Sequence, residues 1–141
     1  MKVHATKGHA AAKARAGKVH AIDRDTLALL LEMGKSSWPN EYMVLLGAEE
    51  GVINMVYPIA GSGGGSDASY IMMDMVPLGM SFVGTAHSHP NGVVRPSDTD
   101  YSTFAEMGQV HIIVGSPFDE YSWRAFGRDG HPVKLEIVSE E

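Results

Sequence analysis

His87-Ser88-His89-Pro90, followed shortly by Pro96-Ser97-Asp98-Thr99-Asp100, is the stretch whose reading decides how this chain folds. His87 and His89 stand at positions i and i+2, so on an extended segment both imidazoles leave one face, about 6 to 7 Å apart at the backbone. Pro90 cannot donate to a strand ladder and ends the segment. Asp100 comes eleven residues after His89. A loop of that length can turn back and bring a carboxylate oxygen to within about 2.0 to 2.2 Å of an ion held by the two rings. Three such ligands leave a fourth position for water, the arrangement of an open zinc site. The lead-in, Phe82-Val83-Gly84-Thr85-Ala86, is largely small and apolar, as in a buried central strand.

Chance is a poor explanation of the pattern. A His-x-His with Asp at one fixed offset is expected in roughly two of a hundred chains of this composition; requiring Pro after the second His and Ser three before the Asp lowers that to roughly one in ten thousand. The bland alternative, a polar loop followed by a helix capped by Ser97, describes the backbone without accounting for the histidines.

These residues resemble the signature of the JAMM (MPN-plus) metalloproteases: His-x-His-Pro, a spacer, Ser-x-x-Asp, and a Glu well upstream. The upstream match is Pro39-Asn40-Glu41, before the apolar run Tyr42 to Gly47. The resemblance spans about residues 18–138. It departs from the pattern before Lys18 and at Thr85-Ala86, where many relatives carry an aromatic residue. The family fold it implies is a single α/β domain, a mixed sheet flanked by helices, cytidine-deaminase-like. It also implies one zinc ion per chain on His87, His89 and Asp100. Glu41, which the sequence alone leaves as an ordinary acid at a strand start, becomes the general base and then general acid toward a zinc-activated water. Ser97 becomes a hydrogen-bond donor to the oxyanion.

Size and composition agree. A chain of 141 residues without cysteine fits one domain, excludes disulfides, and leaves imidazole and carboxylate as the available metal ligands. No apolar stretch is long enough to span a bilayer, and the first residues lack a secretory signal, so we expect a cytoplasmic protein. Residues 1–17 read as a flexible basic arm and residues 18–141 as the catalytic domain. Lys2, Lys7, Lys13, Arg15 and Lys18 meet no acid in the first eighteen residues, and removing their charges from the total of −6 leaves −11 for residues 19–141. An acidic body argues against nucleic acid as the main substrate.

Along that body we expect a strand at 19–22 and a helix capped by Asp23 or Asp25 with Leu27, Leu30, Leu31 and Met33 inward. Strands at 42–48 and 52–58 should be joined by a Glu49-Glu50-Gly51 hairpin. Residues 61–66 read as a glycine-rich loop and 70–75 as extended. The histidine strand at 82–89 should be followed by a helix at 98–107, then strands at 110–115, 122–126 and 133–138, with Arg128-Asp129-Gly130 as a turn. His111, inside an apolar run, reads as a core histidine rather than a ligand. Asp100 at the third position of a Ser97-capped helix poses a conflict, because a capping box turns its carboxylate toward the Ser97 amide. The metal should take the stronger contact.

The resemblance makes the expected reaction hydrolysis of the isopeptide between the C-terminal glycine of a ubiquitin-like modifier and a lysine. The chain is too short for the insertions of eukaryotic relatives that choose among ubiquitin chains. It therefore resembles the compact archaeal form, the desampylases, acting on conjugates with a Gly-Gly C-terminus. A cleft between residues 61–67 and 91–95 would admit that tail. Two alternatives share the fold: a peptidase trimming the C-terminus of a sulfur-carrier protein, and a noncatalytic MPN scaffold.

Overall fold

The computed structural model describes residues 18–58 and 81–139. The basic arm, the glycine-rich loop, the expected extended segment at 70–75 and one wall of the expected cleft lie outside them. In chain order the elements are β1 (Ala21–Asp23), α1 (Arg24–Ser37), β2 (Met43–Glu49), β3 (Val52–Pro58), β4 (Gly84–His89), α2 (Asp98–Glu106), β5 (Val110–Gly115), β6 (Trp123–Gly127), β7 (Pro132–Val133) and β8 (Glu136–Val138). No helix among the described residues is long and apolar enough to cross a membrane.

Local chemistry explains the helices. Asp23 caps α1, its carboxylate accepting from the Thr26 amide at 3.2 Å, and Leu27, Leu30, Leu31 and Gly34 repeat at helical spacing on the buried side. Met33 packs only partly against that core. The helix runs on to Ser37. Ser97 caps α2, as expected.

The strands form one mixed sheet in the order β7-β6-β5-β4-β2-β3-β1-β8. β4 lies in the middle, antiparallel to β2 and parallel to β5. The alternation of side chains separates two layers. Val44, Leu46, Ala86, Val110, Ile112 and Val114 face α1 in the main core, whereas Ile113 and Phe126 pack with Phe104 of α2. His87 pairs with Met43 and Ile113 in the register, so it belongs to the α2 layer. The strand that carries the histidines is thus buried by helices from both sides.

One expectation is corrected. Residues 133–138 do not make a single strand: Pro132–Val133 pairs with β6 at one edge, and Glu136–Val138 pairs with β1 at the other. Only Lys134 and Leu135 lie between them, so the two edges are within about 11 Å of chain and the sheet must curl round. Leu135 is buried in the same cluster as α1, which places that helix inside the curl. Alternation in sequence cannot reveal such a jump, because closing a sheet is a long-range event.

β4 can lie against β5 only because residue 84 has no side chain. A Cβ there would overlap the carbonyl oxygen of Val110, which is backbone and cannot swing aside. Gly84→Ala should therefore either prevent folding or cost more than about 4 kcal/mol in urea unfolding. Stability close to wild type would contradict this packing of the histidine strand.

Candidate metal centre

Alternation along β4 points Thr85, His87 and His89 to the α2 side, and Ala86 and Ser88 to the α1 side. His87 is buried and His89 partly exposed. Their Nε2 atoms face each other at 3.1 Å. Asp100, buried in the first turn of α2, lays one oxygen on each ring: Oδ1 is 3.2 Å from His87 Nε2, and Oδ2 is 3.2 Å from His89 Nε2. Candidate ligand atoms from the three residues all lie within 4.8 Å of one another.

The protons on these groups show what the cluster requires. His89 Nδ1 lies 2.7 Å from the Val93 carbonyl, which can only accept, so Nδ1 carries the hydrogen and donates. In the neutral ring Nε2 then presents a lone pair to His87 and Asp100. Burial lowers the pKa of His89, but Asp100, the Val93 carbonyl and the charge of Glu41 outweigh it and raise the balance. Burial likewise pushes the Asp100 carboxyl up, and the hydrogen bonds and charge of the imidazoles, with the Ser97 amide, hold it well below the usual carboxylate range. The His89 Nε2 lone pair faces an ionised Asp100 oxygen at 3.2 Å, which requires either an extra proton or a cation between them. Two imidazoles and one carboxylate, with no thiolate in the chain, are the donor set of a zinc site. The residues present fit a single zinc ion.

The capping conflict is resolved by sharing. The Ser97 amide donates to Asp100 Oδ2 at 2.8 Å while Ser97 Oγ accepts from the Asp100 amide at 3.2 Å, so a complete capping box coexists with the approach to both rings. The Ser97 hydroxyl uses a lone pair in that box and keeps its proton for another acceptor.

The segment beside Glu41 is held by register. The Ser88 amide donates to the Tyr42 carbonyl at 3.1 Å, and the Tyr42 amide donates to Ser88 Oγ at 2.9 Å, one step beyond the Met43–His87 pair. Glu41, the residue before this contact, lies just outside β2, and its charge acts on His89. Its side chain is exposed. The buried Tyr42 phenol donates to the Leu30 carbonyl at 2.7 Å, tying this end of β2 to α1, and burial raises its pKa.

Sequence reasoning missed Ser88, the Val93 carbonyl and Tyr42. Ser88 had a usable signal, since parity turns it away from the histidines toward the Glu41 segment. His111 is a satisfied core residue: Nδ1 meets Thr85 Oγ1 at 2.8 Å and Nε2 meets the Gly108 carbonyl at 3.0 Å. Burial depresses its pKa to about 4, which keeps the ring neutral in the core.

Comparison with known proteins agrees with the geometry. Residues 23–128 match the family of prokaryotic homologs of the JAB domain. A probable metalloprotease of Haloferax volcanii is 39% identical over 134 residues, covering 88% of this chain and 83% of that protein. A solved JAB1/MPN domain protein from Archaeoglobus fulgidus superposes with a TM-score of 0.69 at 36% identity, covering 86% of this chain and 100% of that one. A second solved structure, described as a JAMM metalloprotease-like zinc site in the proteasome and signalosome, gives a TM-score of 0.68 at 35% identity over 86% of this chain and 99% of that one. With the matched segment spanning both the histidine strand and the Ser97–Asp100 turn, the chain belongs to the prokaryotic JAB-domain branch of the JAMM/MPN metalloprotease-like family.

Proposed function

We propose that this protein is a zinc-dependent isopeptidase that hydrolyses the amide between the C-terminal glycine of a ubiquitin-like modifier and a lysine of its target, in the cytoplasm. The observation that carries the reading is the His87–His89–Asp100 cluster with Ser97 bonded to Asp100; the charge of Glu41 acting on His89 supports adding that residue to the site. Support for the substrate class comes from the neighbour described as a metalloprotease-like zinc site in the proteasome and signalosome.

His87 and His89 through Nε2, with Asp100 through its carboxylate, would hold the ion. Zinc bound there supplies a Lewis acid for the scissile carbonyl and lowers the pKa of a water to about 7. Glu41 takes the proton as the water oxygen bonds to the carbonyl carbon, then delivers it to the lysine nitrogen as the C–N bond breaks. The Ser97 hydroxyl donates to the carbonyl oxygen as negative charge develops on it. The Val93 carbonyl keeps His89 in the tautomer whose Nε2 can serve as a ligand.

The direct test is to incubate the zinc-loaded protein with modifier conjugates and with linear modifier fusions, and to read product masses. Release of the free modifier from the lysine conjugate is expected. Cleavage of linear fusions alone would move the assignment to a peptidase, and no cleavage of either would overturn it.

Metal analysis should find one zinc per wild-type chain and loss of most of it in His89→Ala; unchanged occupancy in the variant would sink the ligand set. Glu41→Ala should keep its zinc and lose about 100-fold or more in rate, the lower end of general acid–base contributions. A near-normal rate would show that the proton is handled elsewhere. Ser97→Asn isolates the hydroxyl, since Asn caps a helix about as well as Ser and the cap is worth only about 1 kcal/mol. This variant should melt near the wild-type temperature and retain zinc while cleaving about a hundredfold more slowly. Wild-type cleavage would leave Ser97 as a cap and no more.

A further inference from the structure

Asp100 and Ser97 both depend on the first turn of α2, and α2 is weakly held. It has nine residues, fewer than the roughly 12 to 15 an isolated helix needs, and buries only Asp100, Thr103 and Phe104. Its last turn has no basic residue to complement the helix dipole. What it rests on therefore fixes its position. Phe104 is one support, stacked on His111 at 4.3 Å between ring centroids and 6.5 Å from His87.

A second support, at the first turn, is Tyr101, the residue after Asp100. Its ring meets Phe104 edge-on at 6.4 Å and covers Gly130 in the β6–β7 turn so closely that a Cβ at 130 would overlap the ring carbons Cδ1 and Cε1. Gly130 has a φ of 83°, so its backbone also favours glycine. The Tyr101 hydroxyl makes no hydrogen bond among the described residues, and the side chain is 46% exposed. Among the described residues packing alone holds this ring, and it follows Asp100 directly in the chain.

We propose that Tyr101, seated on Gly130, is the positioning residue that fixes the first turn of α2 and so holds Asp100 against His87 and His89. The proposal deepens the metal-centre reading and rests on it. Without the ring, the buried contacts left to α2 besides Asp100 itself lie in its second half: Thr103, the capping residue Met107 and, as the pivot nearest the cluster, Phe104. Asp100 lies four residues away, about 6 Å along the axis, so a tilt of about 10° displaces its carboxylate by about 1 Å. Metal–ligand distances tolerate only about 0.2 Å. The flat ring matters, and the hydroxyl does not.

The test is zinc affinity, measured by competition with a chelating dye, alongside thermal unfolding of the zinc-free proteins. Tyr101→Ala should bind zinc about 10- to 100-fold more weakly, the range for residues that orient a metal ligand, while its zinc-free form still unfolds cooperatively. Tyr101→Phe should bind like wild type. Gly130→Ala should also weaken binding, and adding it to Tyr101→Ala should cost less than the two separate losses combined, because the ring it strikes is gone. Should Tyr101→Ala fail to fold, Tyr101→Leu keeps apolar volume without the flat ring and is expected to show the same loss. Wild-type affinity in Tyr101→Ala or its Leu substitute, or a Phe variant as weak as Ala, would overturn the proposal. Wild-type protein that binds zinc no better than His89→Ala would instead bring down the metal centre, and the proposal with it.

Discussion

The lone pair of His89 Nε2, 3.1 Å from His87 Nε2 and 3.2 Å from an ionised Asp100 oxygen, is stable there only with positive charge beside it. Water cannot supply it, and His87 lies in the buried layer between β4 and α2. The rest of the structure serves this demand. Curling the sheet round α1 buries one side of β4 against a continuous apolar core, while α2 covers the other side and brings Asp100 over the rings. A helix terminus suits an acid, since the N-terminal dipole favours negative charge and the capping box orients the carboxylate.

The parity of β4 assigns its residues to different tasks. Odd-numbered positions from 85 to 89 face the α2 layer, where Thr85 satisfies His111 and the two histidines form the cluster. On the opposite face Ser88 bonds to the Tyr42 amide and pins the segment that leads into β2, next to Glu41. The cluster is thus joined to both layers by backbone and side-chain hydrogen bonds, and the tautomer of His89 is set by a single carbonyl. The Ser88 and Thr85 contacts are buried, so a low local dielectric strengthens them, whereas the Val93 bond lies at the exposed rim.

Much of this was legible in the sequence where the physics is local. The i, i+2 spacing of His87 and His89, the Ser97 cap, the leucine stripe of α1 and the turns at Glu49-Glu50-Gly51 and Arg128-Asp129-Gly130 all follow from periodicity and turn chemistry. The split of residues 132–138 between opposite sheet edges was not legible, because a short alternating run does not say which neighbour it will meet. The Val93 carbonyl was invisible for a simpler reason: every residue has one, and only the fold decides which carbonyl meets a ring. Glu41 stands between these cases. Its sequence context matched the family pattern, yet only the fold, through the contact of Tyr42 with Ser88 and the charge of Glu41 acting on His89, brings it near the histidine strand.

The central claim is that one zinc ion sits among His87, His89 and Asp100, and X-ray absorption at the zinc edge of the loaded protein tests it most directly. The account predicts a shell of two imidazole nitrogens and oxygen ligands at about 2.0 to 2.2 Å, low in coordination number and without sulfur. A spectrum showing one imidazole or none, or a six-oxygen shell of loosely held ion, would contradict it.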